Sequence, residues 1–185
     1  SQKAVASESI CNAFKLLDRM YHEEQELLEN SHGDVPEIFD HELLNLILNR
    51  WRLLVSSGCF LPEVKPRDFM RDNDPDTREI TSLHPLNVLE LLYNYQETSP
   101  NLQPDIQSYS MIIDTISSIV EIYDEDYKIS EKEALMERVD DIVEWLVDLA
   151  SHDYEQPVEL HRHHEAPAPN VVLFSSAMDA WTKSG

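Results

Sequence analysis

A short opening recurs in this chain, and its recurrence constrains the fold more than any other feature. The stretch PDIQSYSMIIDTISSI begins at Pro104, and PNVVLFSSAMDAWTKSG begins at Pro169. Each has Pro, Asp or Asn, an aliphatic residue, two variable positions, an aromatic residue and Ser, followed by an apolar run with Asp. A fainter copy, PEIFDHELLNLILNRW, begins at Pro36. Self-similarity of this kind indicates stacked copies of one supersecondary unit.

Apolar residues within these openings have helical spacing. Such a stripe on a helix normally faces the core. We therefore expect the aromatic members of both stripes, Tyr109, Phe174 and Trp181, to be buried. The stripe of the second copy comprises Ile106, Tyr109, Ile112, Ile113, Ile116 and Val120, and that of the third copy comprises Val171, Phe174, Met178 and Trp181.

A second amphipathic stretch accompanies the openings. LHPLNVLELLYNYQE follows the first copy, and ISEKEALMERVDDIVEWLVDLASH follows the second. SESICNAFKLLDRMYHEEQELLEN precedes the first copy and has the pattern of a second helix without its first partner. Helix pairs repeated in one direction build a solenoid. We therefore predict an all-α fold of antiparallel helix hairpins stacked as an α-solenoid, and we expect the chain to be a piece of a longer array.

One solenoid is predicted to span residues 1–185. Its parts are defined by the copies of the opening and by the Pro-rich intervals between the helices. They are the second helix of a truncated repeat (1–30), a repeat with an inserted loop at 59–82 (36–103), a repeat with inserted loops (104–168) and the first helix of a truncated repeat (169–185).

These stretches resemble the pentatricopeptide repeat family. PDIQSYSMIIDTISS and PNVVLFSSAMDAWTKSG are similar to the family's opening helix, P-D/N-V-V-T-Y-N-T-L-I-D-A-Y-x-K-x-G. LNVLELLYNYQETSPNLQPD resembles its second helix and the return to Pro-Asp. The strong matches cover residues 86–118 and 169–185. The copies here are spaced at almost twice the family's period of roughly 35 residues, which is why the inserted loops are predicted.

The resemblance implies binding of single-stranded RNA in a mitochondrion or chloroplast, in RNA processing, stability or translation. In the family, the second residue of each repeat covers a base, and the fifth and last residues contact its edge. Carried over, the first copy offers Phe39 and Glu42 with Asp105 as its last residue. The predicted RNA-binding positions are Asp105, Gln107, Ser110, Asn170, Val172 and Ser175.

Structural roles remain open for the same residues. Ser110 and Ser175 suit a helix face packed against a neighbouring helix, and Asp105 and Asn170 suit helix N-caps. The formal net charge of −22, from 36 acidic and 14 basic side chains, repels phosphate. Lys183 is the clearest basic residue near the predicted positions. An acidic α-solenoid scaffold for protein–protein interaction is therefore the alternative function.

Catalysis and cofactor binding are not indicated. The sequence has no nucleophile–His–acid set, phosphate loop or Gly-rich turn. The HRHHE segment at 161–165 lacks the spacing of metal ligands, and we interpret it as a solvated loop. Cys11 and Cys59 suit reduced thiols. No apolar run approaches the roughly 18 residues of a membrane span. We expect no enzyme activity, cofactor, metal, small-molecule substrate or membrane association.

Overall fold

The computed structural model describes residues 2–30, 41–59, 83–99, 102–122, 129–153 and 167–184. Within these ranges the secondary structure consists of helices without strands, which confirms the all-α prediction. The inserted loop predicted at 59–82, apart from Cys59, and the HRHHE segment lie outside the described residues. The helices are α1 (Gln2–Asn30), α2 (His41–Ser56), α3 (Pro85–Thr98), α4 (Ile106–Ile122), α5 (Ile129–Asp153) and α6 (Val171–Ser184).

The chain divides into two compact units, Ser1–Gln103 and Pro104–Gly185. Unit 1 contains α1, α2 and α3, and unit 2 contains α4, α5 and α6. The boundary falls where the second copy of the opening begins. A single solenoid over the whole chain stays a prediction. In the described part of the chain, no helix combines the length and the apolar character that a membrane crossing needs.

Aromatic rings connect the helices of unit 1. Phe14 of α1 and Trp51 of α2 are fully buried, and their rings meet edge to face with centroids 6.0 Å apart. Further along α1, Tyr21 packs on Tyr95 of α3 at 5.0 Å, and its hydroxyl is 2.8 Å from Thr98 Oγ1. Large aromatic side chains contribute much of the apolar area that a small core can bury. α1 therefore joins both other helices of its unit.

A buried carboxylate fixes the C-terminal end of α3 to α1. Glu24 is buried, and its Oε2 accepts a hydrogen bond from the Ser99 hydroxyl. Ser99 Oγ in turn accepts from the Leu102 N–H at 2.9 Å. Buried polar atoms cost free energy unless they are hydrogen-bonded, and this chain of bonds supplies those partners.

α3 begins at a buried histidine cap. His84 is 2% exposed, and its Nδ1 accepts a hydrogen bond from the Leu86 N–H at 3.3 Å. Pro85 follows in the first turn, where a missing N–H costs nothing because that turn has no intrahelical acceptor for it. Burial lowers the pKa of His84 to about 4, because the charged imidazolium would lose its hydration.

α4 packs against both other helices of unit 2. Its predicted apolar stripe is buried from Tyr109 to Val120, and the Tyr109 ring contacts Trp145 of α5 at 5.4 Å. Small polar side chains are buried on the same helix. They are Ser108, Ser110, Thr115 and Ser117.

α6 turns a different face inward from the one the sequence predicts. The expectation that Phe174 and Trp181 are buried is wrong, because they are 43% and 49% exposed. Val171 and Met178 are exposed as well. The buried side of α6 packs on α4, where Ser117 donates to Asp179 of α6. Small residues let two helix backbones approach closely where a large ring would not fit. That side comprises Leu173, Ser176, Ala177 and Ala180.

The direction of the three helices follows from their contacts. Ser117 of α4 donates to Asp179 of α6 at 3.1 Å, and one turn further along both helices Glu121 pairs with Lys183 at 3.2 Å. The second pair lies closer than the first to the C-terminus of both helices, so α4 and α6 run in the same direction. Trp145 contacts the start of α4, whereas the earlier Asp140 of α5 accepts from Trp181 Nε1 near the end of α6, at 3.0 Å. α5 therefore runs in the opposite direction.

Candidate nucleic-acid interface

The first turn of α4 is fixed by a reciprocal cap. Asp105 Oδ1 accepts from the Ser108 N–H at 2.9 Å, and Ser108 Oγ accepts from the Asp105 N–H at 3.2 Å. These bonds satisfy backbone donors that have no partner within the helix. The N-cap interpretation of Asp105 is confirmed. A role in RNA contact would come in addition to this structural role.

Asn170 caps α6 in the same way. Its Oδ1 accepts from the N–H groups of Val172 and Leu173, at 3.0 and 3.1 Å. The residue itself is exposed. Because Oδ1 takes both cap bonds, Nδ2 is the polar atom of this side chain that remains for a ligand.

The two predicted serines differ in accessibility. Each hydroxyl donates to the carbonyl oxygen four residues earlier, Ser110 to Ile106 at 2.8 Å and Ser175 to Val171 at 2.7 Å. Ser175 is exposed, but Ser110 is only 5% exposed. The interpretation as a small packed residue is confirmed for Ser110 and is wrong for Ser175, which faces solvent. A base could reach the Ser110 hydroxyl only from the edge of the α4–α6 contact.

Gln107 and Val172 lie on accessible surface. Gln107 is exposed in the first turn of α4, and Val172 is 55% exposed in the first turn of α6. Of the first-copy positions, Glu42 is exposed at the start of α2, in unit 1, and Phe39 lies outside the described residues.

The parallel course of α4 and α6 brings the predicted positions of unit 2 to one end of the helix pair. All six lie in the residue before α4 or α6 or within the first five residues of these helices. The resulting surface offers the Val172 methyl groups as an apolar platform, with amide donors from Gln107 and Asn170. A base needs such a combination, a surface to stack on and polar groups at its edge.

Lys183 does not belong to this surface, so the expectation that it lies near the base-contacting positions is wrong. It stands in the last turn of α6, about 16 Å along the helix from Val172 at 1.5 Å per residue. Its Nζ pairs with Asp179 at 2.9 Å and with Glu121 at 3.2 Å. The hydrogen bond with Asp179 raises the pKa of Lys183, which stays charged and neutralised by its two partners.

The first turns of α4 and α6 contain no cationic residue that could take the place of Lys183. The segments 105–110 and 170–175 contain neither Lys nor Arg. In α5, Arg138 is paired with Asp141 at 2.6 Å. The end of the helix pair therefore presents amide and apolar groups and leaves phosphate charge uncompensated.

Two structural features of unit 2 escaped the sequence interpretation. One is the small-residue contact between α4 and α6, for which the spacing of Ser176, Ala177 and Ala180 was the available signal. The other is the hydrogen bond from Trp181 to Asp140, which has no local signature because the two residues are far apart in the chain.

Comparison with known proteins adds no relative: no family model, curated protein or solved structure matches this chain. The fold defines an all-α protein whose described helices form two compact units. Across the ranges that the structure describes, no group of three or more His, Cys, Asp or Glu side chains is arranged to hold a metal ion.

Proposed function

We propose that this chain is a non-catalytic helical repeat protein that binds single-stranded RNA in a mitochondrion or chloroplast, in RNA processing, stability or translation. In this proposal α4 and α6 are successive first helices of an α-solenoid, and α5 is the second helix between them. The observation that carries it is the parallel course of α4 and α6, which gathers the six predicted positions at one end of the pair.

Base recognition at this end would rest on Val172, Gln107 and Asn170. Val172 covers the face of a base, and the amide groups of the other two meet base edges. Ser110 lies deeper, and its hydroxyl keeps an acceptor lone pair besides its bond to Ile106. Asp105 and Ser175 would complete the neighbouring positions on either side.

Phosphate contributes little to this mode of binding. Because the first turns of α4 and α6 hold no Lys or Arg, few counterions would be released from the RNA. We therefore expect the logarithm of the binding constant to fall with the logarithm of salt concentration with a slope no steeper than about −1. Binding through a basic surface gives a much steeper dependence.

Asn170→Asp tests the proposal with little effect on the helix cap. Asp and Asn cap helices about equally well, and Oδ1 can keep both backbone bonds. The exchange turns the free amide donor into an acceptor, so base preference should change more than total affinity. Binding to a randomised pool of single-stranded RNA, followed by sequencing of the bound fraction, measures both. Asn12→Asp on the exposed surface of α1 adds the same charge outside the interface and is the matched control.

The proposal predicts altered base preference for Asn170→Asp and unchanged preference for Asn12→Asp. The proposal is contradicted if both variants lose affinity slightly and equally while keeping the base preference of the unmodified chain. That outcome would show a general effect of the added charge. Absence of RNA binding by the unmodified chain at low salt would also contradict the proposal.

An acidic scaffold for protein–protein interaction is the second candidate function. The exposed apolar side of α6 favours it, since soluble proteins rarely expose adjoining large apolar side chains without a partner. The net charge of −22 favours it as well, because such a surface attracts basic proteins.

A further inference from the structure

The outer side of α6 carries a continuous row of exposed large apolar residues. Val171, Phe174, Met178 and Trp181 follow one another at intervals of three or four residues and are 77%, 43%, 69% and 49% exposed. Residues at these intervals lie on one face of a helix. This row, called the α6 stripe here, lies opposite the small residues that pack on α4.

Acidic side chains border the α6 stripe along α5. Trp181 donates to Asp140 Oδ1 at 3.0 Å, which places this carboxylate at the stripe. Glu137 and Glu144 lie three residues before and four residues after Asp140, on the same face of α5, and both are exposed. Within the described residues, none of these three carboxylates forms an ion pair. Together they make an acidic ridge at the Trp181 end of the apolar row.

The other border of α6 is acidic as well. Asp179 and Glu121 are both exposed and share the single ammonium group of Lys183. One positive charge against two carboxylates leaves this border with a net negative charge. An apolar row with negative charge on both sides is complementary to an amphipathic helix whose apolar stripe has Lys or Arg on both sides.

We propose that the α6 stripe binds a cationic amphipathic helix of a partner protein. A second copy of this chain fits poorly, because stripe-to-stripe contact would bring two acidic ridges together in a protein of net charge −22. The partner's apolar residues cover Phe174, Met178 and Trp181, and its basic residues pair with Glu137, Asp140 and Glu144. The inference rests on the second candidate function, because in the RNA proposal α6 is the first helix of a truncated repeat and the second helix of that repeat would cover the α6 stripe.

A synthetic peptide helix serves as the probe. It has Leu at i, i+3, i+4 and i+7 spacing with Lys at the flanking positions, and its affinity for the whole chain is measured by titration calorimetry. A second peptide with Gln at every Lys position removes the charge and keeps the apolar row. A third has the composition of the first in an order without amphipathicity, and it measures the general attraction of a basic peptide to an acidic protein.

Met178→Asp tests the location of the site. Met178 is well exposed, so the substitution leaves the core of unit 2 intact. The matched control is Leu46→Asp on α2, where an equally exposed apolar residue (65%) receives the same charge in unit 1. We expect Met178→Asp to weaken binding of the amphipathic cationic peptide about tenfold or more, the usual size of a central contact, and Leu46→Asp to change it little.

Charge reversal tests the ridge separately. Replacing Glu137 and Glu144 by Lys should weaken binding of the cationic peptide and leave binding of the Gln peptide unchanged. The inference is overturned if Met178→Asp and Leu46→Asp act equally, if the Gln or the reordered peptide binds as tightly as the cationic amphipathic one, or if the unmodified chain forms a dimer that Met178→Asp dissociates. The dimer is detected by sedimentation equilibrium.

Discussion

The buried cap of α3 makes the stability of unit 1 depend on pH through one residue. His84 is 2% exposed and must be neutral to accept the Leu86 N–H with Nδ1. Its pKa is lowered from 6.5 to about 4 by burial. Between these values the unfolded chain binds a proton that the folded chain does not. The stabilisation is therefore complete above pH 6.5 and is lost progressively as the pH falls towards 4.

The size of the pH effect on the stability of unit 1 follows from the pKa shift of His84. At about 1.4 kcal/mol for each pH unit, a change from 6.5 to about 4 corresponds to ~3 kcal/mol of unfolding free energy. The perturbation is His84→Asn, because Asn keeps a side-chain acceptor at the N-cap and does not titrate. Loss of imidazole volume lowers stability by an amount that does not change with pH. The difference between the unmodified chain and the variant should therefore shift by ~3 kcal/mol from pH 7.5 to pH 4.

Urea unfolding across this pH range measures the difference. Incorporated 5-fluorotryptophan gives a separate ¹⁹F signal for Trp51 of unit 1, apart from Trp145 and Trp181 of unit 2. The control is Asn12→Ala on the exposed surface of α1. It changes no ionisable group, so its pH profile should parallel that of the unmodified chain. A constant difference between the unmodified chain and His84→Asn over pH 4 to 6.5 would refute the argument, because it would mean that His84 titrates alike in both states.

Other substitutions test the packing of the two units. Phe14→Ala should destabilise unit 1 by about 3–5 kcal/mol in urea unfolding, against less than about 1 kcal/mol for Leu16→Ala at an exposed position of the same helix. Ala180→Leu should destabilise unit 2 by about 1–3 kcal/mol through overpacking against α4, whereas Met178→Leu on the exposed side should be nearly neutral. Lys183→Met should cost less than about 1 kcal/mol, and the cost should shrink with added salt, since all three charges are accessible to solvent.

Helix positions and caps were predictable because their causes are local. The stripe of α4 from Tyr109 to Val120 recurs at the helical period, and an apolar face this wide has to be covered. Asp105 and Asn170 precede these helices, and their short side chains reach the first free N–H groups. Neither inference requires knowledge of distant parts of the chain.

The inward face of α6 was not predictable in the same way. Periodicity indicates that Val171, Phe174, Met178 and Trp181 share a face, but it cannot say which neighbour covers that face. The side that packs on α4 was selected by close approach, which favours Ala180 and Ser176 over larger residues. Such a choice depends on the shape of α4, and no single stretch of sequence contains it.

Lys183 shows a related limit of sequence-based interpretation. It follows Ser175 by only eight positions, yet a straight helix places about 12 Å between them. Its partners, Glu121 and Asp179, are set by the register between α4 and α6. The same register brings the six predicted positions together at one end of the helix pair. Their order in the chain does not by itself predict this.

The hydroxyl groups on α4 have a consequence for how this helix can change over time. Ser110, Thr115 and Ser118 each donate to the carbonyl oxygen four residues back, so their polarity is satisfied inside the helix. Burial of Ser110 and Thr115 then depends on their size and hardly on their chemistry. Exchange of either residue for Ala or Cys should be tolerated across related sequences, while a gain of even one branched carbon should be rejected. Selection at these positions would constrain side-chain volume and would tolerate residues of different hydropathy.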